Sequence, residues 1–318
     1  MATLHTLRNK YLCAKISTLG AEVQSLQDIA TGQEYCWQGD PAFWGGRAPI
    51  LFPIVGGMWD GQCRINQRTY SIPKHGFVRN RNWSIVPAAT PPPAELGEES
   101  ETLTLAVENT PDELEMFPWP YRLEVSYRLC GRRLEAEFLV KNLSTTETMH
   151  FQIGGHPSLQ MPDWKADGQV VQGYLRFEGR PLDMLRATTQ GCTQPQRVPI
   201  PWSNDAATSA ALARHQSHNA LVPICVDTFA NEALIFDNHQ LSAIEVLDLN
   251  GRRLAHFTSS APVWLVWSPT GQHAPFICVE PWYGLCDSHY FSGSIEDRPF
   301  MQHASPGQTW KGGYTMSV

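Results

Sequence analysis

Two histidines and one carboxylate, each set beside residues that turn or stiffen the chain, carry the chemistry this sequence can do. They are His75 in Lys74-His75-Gly76-Phe77, His156 in Ile153-Gly154-Gly155-His156-Pro157, and Glu280 in Val279-Glu280-Pro281-Trp282-Tyr283-Gly284. Histidine and glutamate are a natural pair for taking one proton from a neutral substrate and giving it another near pH 7, with no metal or nucleotide required. His156 follows two glycines and precedes a proline, a rigid setting in which backbone comes close to whatever the imidazole faces. Glu280 ends the apolar run Phe276-Ile277-Cys278-Val279 and is locked by Pro281. A carboxylate in that position is costly unless it is hydrogen-bonded or working. His75 sits in a turn, where a lone imidazole is usually structural or merely solvated.

Other charged residues leave two readings open. Arg47 leads into the apolar stretch Ala48-Pro49-Ile50-Leu51-Phe52, either as a snorkelling surface residue or as a hydroxyl-binding one. Arg79 and Arg81 are either solvated or placed to meet an anion, and Asp287 either buttresses the site or caps a turn. His215-x-x-His218 has the spacing of a metal pair on a helix, but no third ligand and no H-E-x-x-H string accompany it, and it reads as surface.

The elements that must position these residues are strands. Leu123 to Leu129 and Leu134 to Val140 alternate apolar with polar residues around Cys130-Gly131-Arg132-Arg133, which predicts a hairpin. Ala243 to Leu249 and Arg253 to Thr258 repeat the device around Asn250-Gly251. Val263 to Trp267 and Phe276 to Glu280 read as buried strands separated by Ser268-Pro269-Thr270-Gly271. Strand follows strand without intervening helices, and only Pro111 to Phe117 and Ala206 to His215 suit short helices. The proline- and glutamate-rich segment Ala88 to Glu101 predicts an exposed loop between two strands. The expectation is an all-β chain, a large antiparallel β-sandwich with a few short helices, forming one domain over residues 1–318.

Composition excludes several function classes. The 318 residues hold 24 glycines and 24 prolines without period, which fits many turns between short strands. The net charge of −7 comes without a long basic run, so nucleic acid finds no phosphate-binding stripe. Eight cysteines show no C-x-x-C pair, which predicts thiols in a reducing compartment. Met1 to Lys10 lacks a signal-peptide core, and no apolar run approaches the ~20 residues of a membrane span, so a cytoplasmic location is expected. There is no G-x-G-x-x-G after a strand, no phosphate loop and no G-x-S-x-G elbow, which disfavours nicotinamide enzymes, P-loop hydrolases and serine esterases. The expected partner is a small molecule, the chain a monomer or homodimer, and no cofactor or metal is called for.

Together the strings resemble the aldose 1-epimerase (galactose mutarotase-like) superfamily, in particular its bacterial hexose and sugar-phosphate mutarotases. The matching text runs from Ser17-Thr18-Leu19-Gly20-Ala21-Glu22 through Tyr35-Cys36-Trp37-Gln38-Gly39-Asp40 and Arg47-Ala48-Pro49-Ile50-Leu51-Phe52-Pro53. It resumes at His75-Gly76-Phe77-Val78-Arg79, Ile153-Gly154-Gly155-His156-Pro157 and Glu280-Pro281-Trp282-Tyr283-Gly284, in the order the family has them. The resemblance implies a sandwich with a sugar cleft and interconversion of α and β anomers of a hexose or hexose phosphate. It implies Glu280 as catalytic base and His156 as general acid, with His75 and Arg47 holding sugar oxygens; Arg79, Trp282 and Asp227 complete the substrate-binding candidates. Glu232 competes with Asp227 for the family's further acidic position. Asn66-Gln67 stands where the family has an Asn-Gly turn, and Gly57 where it has a larger polar residue. Two other functions remain open on the same residues: non-catalytic sugar binding, and glycoside hydrolysis, which needs a second carboxylate about 5–9.5 Å from Glu280.

Overall fold

The computed structural model describes residues 2–87, 100–166, 171–188, 190–203 and 221–318. The predicted helix over 206–215, the His215/His218 pair and most of the loop predicted over 88–101 lie outside the described residues. Two large antiparallel sheets form the body of the molecule. The nine-stranded sheet runs, in spatial order, Val222–Pro223, Tyr174–Gly179, Leu241–Leu247, Arg253–Thr258, Thr309–Ser317, Arg133–Asn142, Tyr121–Cys130, Ser100–Glu108, Ser84–Val86. The eight-stranded sheet runs Thr193–Val198, Met184–Ala187, Leu234–Phe236, Val263–Trp267, Phe276–Tyr283, Ile153–Gly155, Ile50–Leu51, with Ser158–Gln160 also pairing to Phe276–Tyr283. This is the predicted sandwich.

Alternation drives the first sheet. In Tyr121–Cys130 the residues Tyr121, Leu123, Val125, Tyr127 and Leu129 are buried while their neighbours are half-exposed, and Leu134, Ala136, Phe138 and Val140 do the same across the hairpin. Gly131, at φ 54°, takes the left-handed turn position that the two-residue loop requires. The second hairpin closes through Asp248, whose Oδ1 accepts from the backbone N–H groups of Asn250 and Arg252 at 2.8 Å each. The short helix Pro111–Leu114 is held by a capping box between Thr110 and Glu113.

Phe276–Tyr283 differs because it is buried on both faces along its whole length. Its period of two sends Ile277, Val279 and Tyr283 into the main core with Leu123, Val125 and Phe138 of the opposite sheet. Phe276, Cys278, Glu280 and Trp282 are thereby turned to the outer face, where Phe276, Cys278 and Trp282 pack in separate small clusters. The strand does not end at Glu280, as the sequence suggested; it continues through Pro281 to Tyr283. The reason lies in its neighbour. Pairing with Ile153–Gly155 stops at Gly154↔Trp282, pairing with Ser158–Gln160 begins at Ser158↔Cys278, and between them Val279 N–H donates to Pro157 O at 3.0 Å. Pro281, two residues on, has no N–H to give this neighbour and Pro157 none to return, so the two prolines open the gap in the ladder while the strand runs on. The register is the same on both sides of the gap, and it sets His156 opposite Glu280.

Candidate active site

A cavity of about 300 Å³ opens on the outer face of the eight-stranded sheet, with His75, His156, Glu280, Trp282, Trp44, Trp267, Lys74, Arg79 and Glu232 among its walls. His156 Nε2 lies 3.2 Å from Glu280 Oε1, and the two residues are 8% and 2% exposed. Gly154 is required here: a Cβ would stand 2.7 Å from the Trp282 ring. The His156 imidazole is stacked on Trp44 at 5.0 Å between ring centroids and meets Trp267 and His75 edge-on at 6.0 and 5.7 Å. Three rings therefore fix its orientation.

Burial works on the two groups in opposite directions. It pushes the Glu280 carboxyl well above its ordinary range, with the Lys74 ammonium and the Trp282 indole pulling back more weakly. It drives the His156 imidazole down to about 3, against a small pull from its own backbone carbonyl and with help from the Lys74 and Arg79 cations. The physical content is that the pair holds one proton between them. The neutral pair and the imidazolium–carboxylate ion pair have the same proton count and interconvert by transfer along the 3.2 Å contact. Glu280 Oε2, His156 Nδ1 and Trp282 Nε1 are buried without a well-formed hydrogen bond in the protein, although the indole N–H and the carboxyl, and the imidazole and its own carbonyl, lie close enough to act on one another. Buried polar atoms seldom go unsatisfied, so this cluster is suited to a ligand rich in hydroxyls.

His75 is clamped to Gly56: its N–H donates to Gly56 O at 2.9 Å, and its Nδ1 accepts from Gly56 N–H at 3.1 Å. An accepting Nδ1 assigns the proton to Nε2, making that atom a hydrogen-bond donor. Burial holds this imidazole well below its ordinary value, His156, Lys74 and Arg79 adding to the effect. The backbone at His75 and Gly76 is left-handed, φ 65° and 68°, and a Cβ at Gly76 would collide with the Phe52 carbonyl. Arg79 also lines the cavity; its guanidinium donates to Lys74 O at 3.1 Å, and burial lowers it somewhat.

Of the residues singled out in the sequence, the fold brings together Glu280, His156, His75, Arg79 and Trp282. Arg47 is not on the cavity wall. Its guanidinium donates to Gln24 O at 2.9 Å, and its backbone N–H to Glu22 Oε1, which ties it to the strand Val23–Asp28. Asp227 is likewise absent from the wall: it opens the 3₁₀ turn Asp227–Phe229 with its side chain in solvent, and Glu232 is the acidic residue that reaches the cavity. Arg81 pairs with Glu113. Asp287 is a buttress: Oδ1 accepts from Arg298 Nε at 2.6 Å and Oδ2 from Trp59 N–H at 2.9 Å, with Asp287 and Arg298 buried and Trp59 half-buried. Trp44, Lys74 and Trp267 were given no role by sequence reasoning. Lys74 stands in the same string as His75, and Trp44 lies two residues from Gly46, whose missing side chain makes room for its indole. A metal ion, if offered, would find ligand atoms of His156, Cys278 and Glu280 within 4.8 Å of one another.

The two-sheet antiparallel sandwich is the fold of the galactose mutarotase-like proteins. The chain belongs to the aldose 1-epimerase family, whose sequence profile matches residues 3–317. It is 29% identical over 318 residues to the plasmid-borne protein LacX of Lactococcus lactis subsp. lactis, covering 98% of both chains. A galactose mutarotase-like protein from Lactobacillus casei superposes with a TM-score of 0.83 at 25% identity, over 99% of both chains. A galactose mutarotase related enzyme from Lactobacillus acidophilus gives 0.81 at 25% identity, over 99% of this chain and 97% of that one. No helix among the described residues is long and apolar enough to cross a membrane.

Proposed function

We propose that this protein is a mutarotase that interconverts the α and β anomers of a hexose or hexose phosphate, acting as a single unit over residues 1–318. The observation that carries the reading is the buried His156–Glu280 contact, with Glu280 Oε2, His156 Nδ1 and Trp282 Nε1 left for a ligand. Sugar hydroxyls entering the cavity favour the ion-pair form, because they solvate both charges. Glu280 Oε2 then takes the proton from the anomeric hydroxyl as His156 donates to the ring oxygen, and the C1–O5 bond breaks. The aldehyde turns about C1–C2, and closure with the roles exchanged gives the other anomer. The pair ends with the one proton it began with, so the equilibrium ratio is unchanged.

His75 Nε2–H holds a sugar oxygen in this scheme, and the Lys74 and Arg79 cations stand ready for an anionic substituent. Arg47 and Asp227 are left out of the substrate set, and Glu232 takes the acidic position. The chemistry uses only side-chain proton transfer, so chelator treatment is expected to leave the rate unchanged, and added zinc to inhibit by bridging His156, Cys278 and Glu280. A rate that falls with chelator and returns with metal would overturn the metal-free scheme. The reading as a whole is tested by anomer exchange in NMR across free hexoses and their 6-phosphates. Release of chromophore from aryl glycosides would instead point to hydrolysis.

A further inference from the structure

Two glycines link the catalytic cavity to a buried ion pair that is not on its wall. Gly56 and Gly57 carry no side chains to pack, and neither has room for one: a Cβ on Gly56 would stand 2.3 Å from Cys286 Cβ, and one on Gly57 2.7 Å from Gln190 O. Their placement therefore rests on backbone hydrogen bonds. On the cavity side Gly56 clamps His75, through its N–H to Nδ1 and through its carbonyl to the His75 N–H. On the other side Gly57 O accepts from Asp287 N–H at 3.1 Å and from Arg298 Nη2 at 3.4 Å.

Asp287 follows Glu280 on the segment that leaves the strand Phe276–Tyr283, so the ion pair fixes the two glycines relative to the strand that carries Glu280. Gln152 makes a second tie between the same segments: its Oε1 accepts from Val55 N–H at 3.3 Å and its Nε2 donates to Leu285 O at 2.9 Å. A buried ion pair contributes little net stability, and this one leaves Arg298 Nη1 without a hydrogen bond among the described residues. What the pair supplies is geometry. The Arg298 guanidinium spans Asp287 Oδ1 and Gly57 O, which no apolar side chain could do.

We propose that Asp287 and Arg298 are positioning residues that act through Gly57 and Gly56 to hold the His75 ring on the cavity wall with its proton on Nε2. The inference rests on the mutarotase reading for what His75 does to a substrate. A donor N–H of Gly56 facing Nδ1 excludes a proton there, and so excludes the other tautomer and the imidazolium alike. Burial disfavours the imidazolium as well, with His156, Lys74 and Arg79 adding to the effect. The charges of Asp287 and Arg298 balance each other, so the pair acts on His75 through the backbone. Loosening Gly56 removes the donor from Nδ1 and frees the ring to turn.

The test uses the full chain with the paired variant Asp287→Asn/Arg298→Met, which leaves no buried charge uncompensated, and with Arg298→Lys, which keeps the charge and gives up the fork. Leu105→Ala, a core truncation in the nine-stranded sheet, controls for lost stability. The first readout is nitrogen NMR of the His75 ring between about pH 5 and 8. Wild type and Leu105→Ala should keep Nδ1 unprotonated throughout, whereas both pair variants should protonate it as the pH falls through the ordinary histidine value of about 6.5. The ring readout in Arg298→Lys stands by itself where the paired variant does not fold. The second readout is anomer exchange: the paired variant should lower kcat/KM about fivefold or more, affecting kcat and KM together as His75→Asn does, and should cause no further loss in a His75→Asn background. An Nδ1 that stays unprotonated in the folded pair variants, the same protonation in Leu105→Ala, or losses that multiply with those of His75→Asn overturns the proposal. The ring is read without substrate, so the two readings fail separately. Nδ1 protonation in the variants of a protein that exchanges no anomers removes the mutarotase reading and keeps the positioning role; anomer exchange in wild type with an unprotonated Nδ1 in the variants does the reverse.

Discussion

Glu280→Gln is the most informative single substitution. The amide reproduces the planar shape of the carboxyl in a site that is 2% exposed, and it can still hydrogen-bond His156 Nε2 across the 3.2 Å contact. Burial favours the neutral carboxyl in the free protein, so the amide replaces a neutral group of the same shape, and folding stability should hold. The amide accepts no proton at neutral pH. The catalytic loss should therefore equal the contribution of one positioned base, about 10²–10⁴-fold, which corresponds to roughly 3–5 kcal/mol of barrier. The assay is NMR exchange between anomers of a responsive hexose, with thermal unfolding alongside. A variant that melts at or above the wild-type temperature and keeps more than about a tenth of the rate would refute the assignment of Glu280 as base.

The shared proton sets the pH profile: the working pair is lost only when it gains a second proton, near the lowered histidine value of about 3, or loses its one proton, well above the ordinary glutamate range. A plateau in kcat/KM extending below pH 5 and above pH 7 is expected, and a narrow bell between 4.5 and 6.5 would show two independent groups instead. His156→Asn should lower kcat more than it changes KM, whereas His75→Asn should impair both; the reverse pattern would exchange the acid and positioning roles. Arg79→Ala should reduce anomerisation of a hexose 6-phosphate at least tenfold and barely touch the free hexose. Equal effects on the two sugars would mark the substrate as neutral.

Much of the fold was legible because its signals are local. Period-two burial in Tyr121–Cys130 and Arg133–Asn142, with Gly131 between them, is written in adjacent residues. The pairing of His156 with Glu280 is not, because it depends on the register between Phe276–Tyr283 and a segment far away in the chain; only the turn-forming setting of each residue hinted at it. Arg47 was read from its neighbours, but its side chain turns to Gln24 O, a partner 23 residues away. Asp227 and Glu232 flank one 3₁₀ turn, and no periodicity distinguishes them; the left-handed backbone at Glu232, φ 66°, accompanies the reversal that places it on the cavity wall. Trp44, Trp267 and the loop around Thr188 and Gly191 reach the cavity from segments far apart in the chain, so no short motif could announce them.

The central claim is that the His156–Glu280 pair opens and recloses a sugar ring. Its most direct test is two-dimensional exchange NMR on α and β anomers of free hexoses and hexose 6-phosphates, with and without the protein. For at least one sugar the account predicts exchange faster than in buffer, linear in protein concentration, absent with Glu280→Gln, and with the anomer ratio unchanged. Exchange at the buffer rate for every sugar, in a folded protein that still binds one of them, would contradict it.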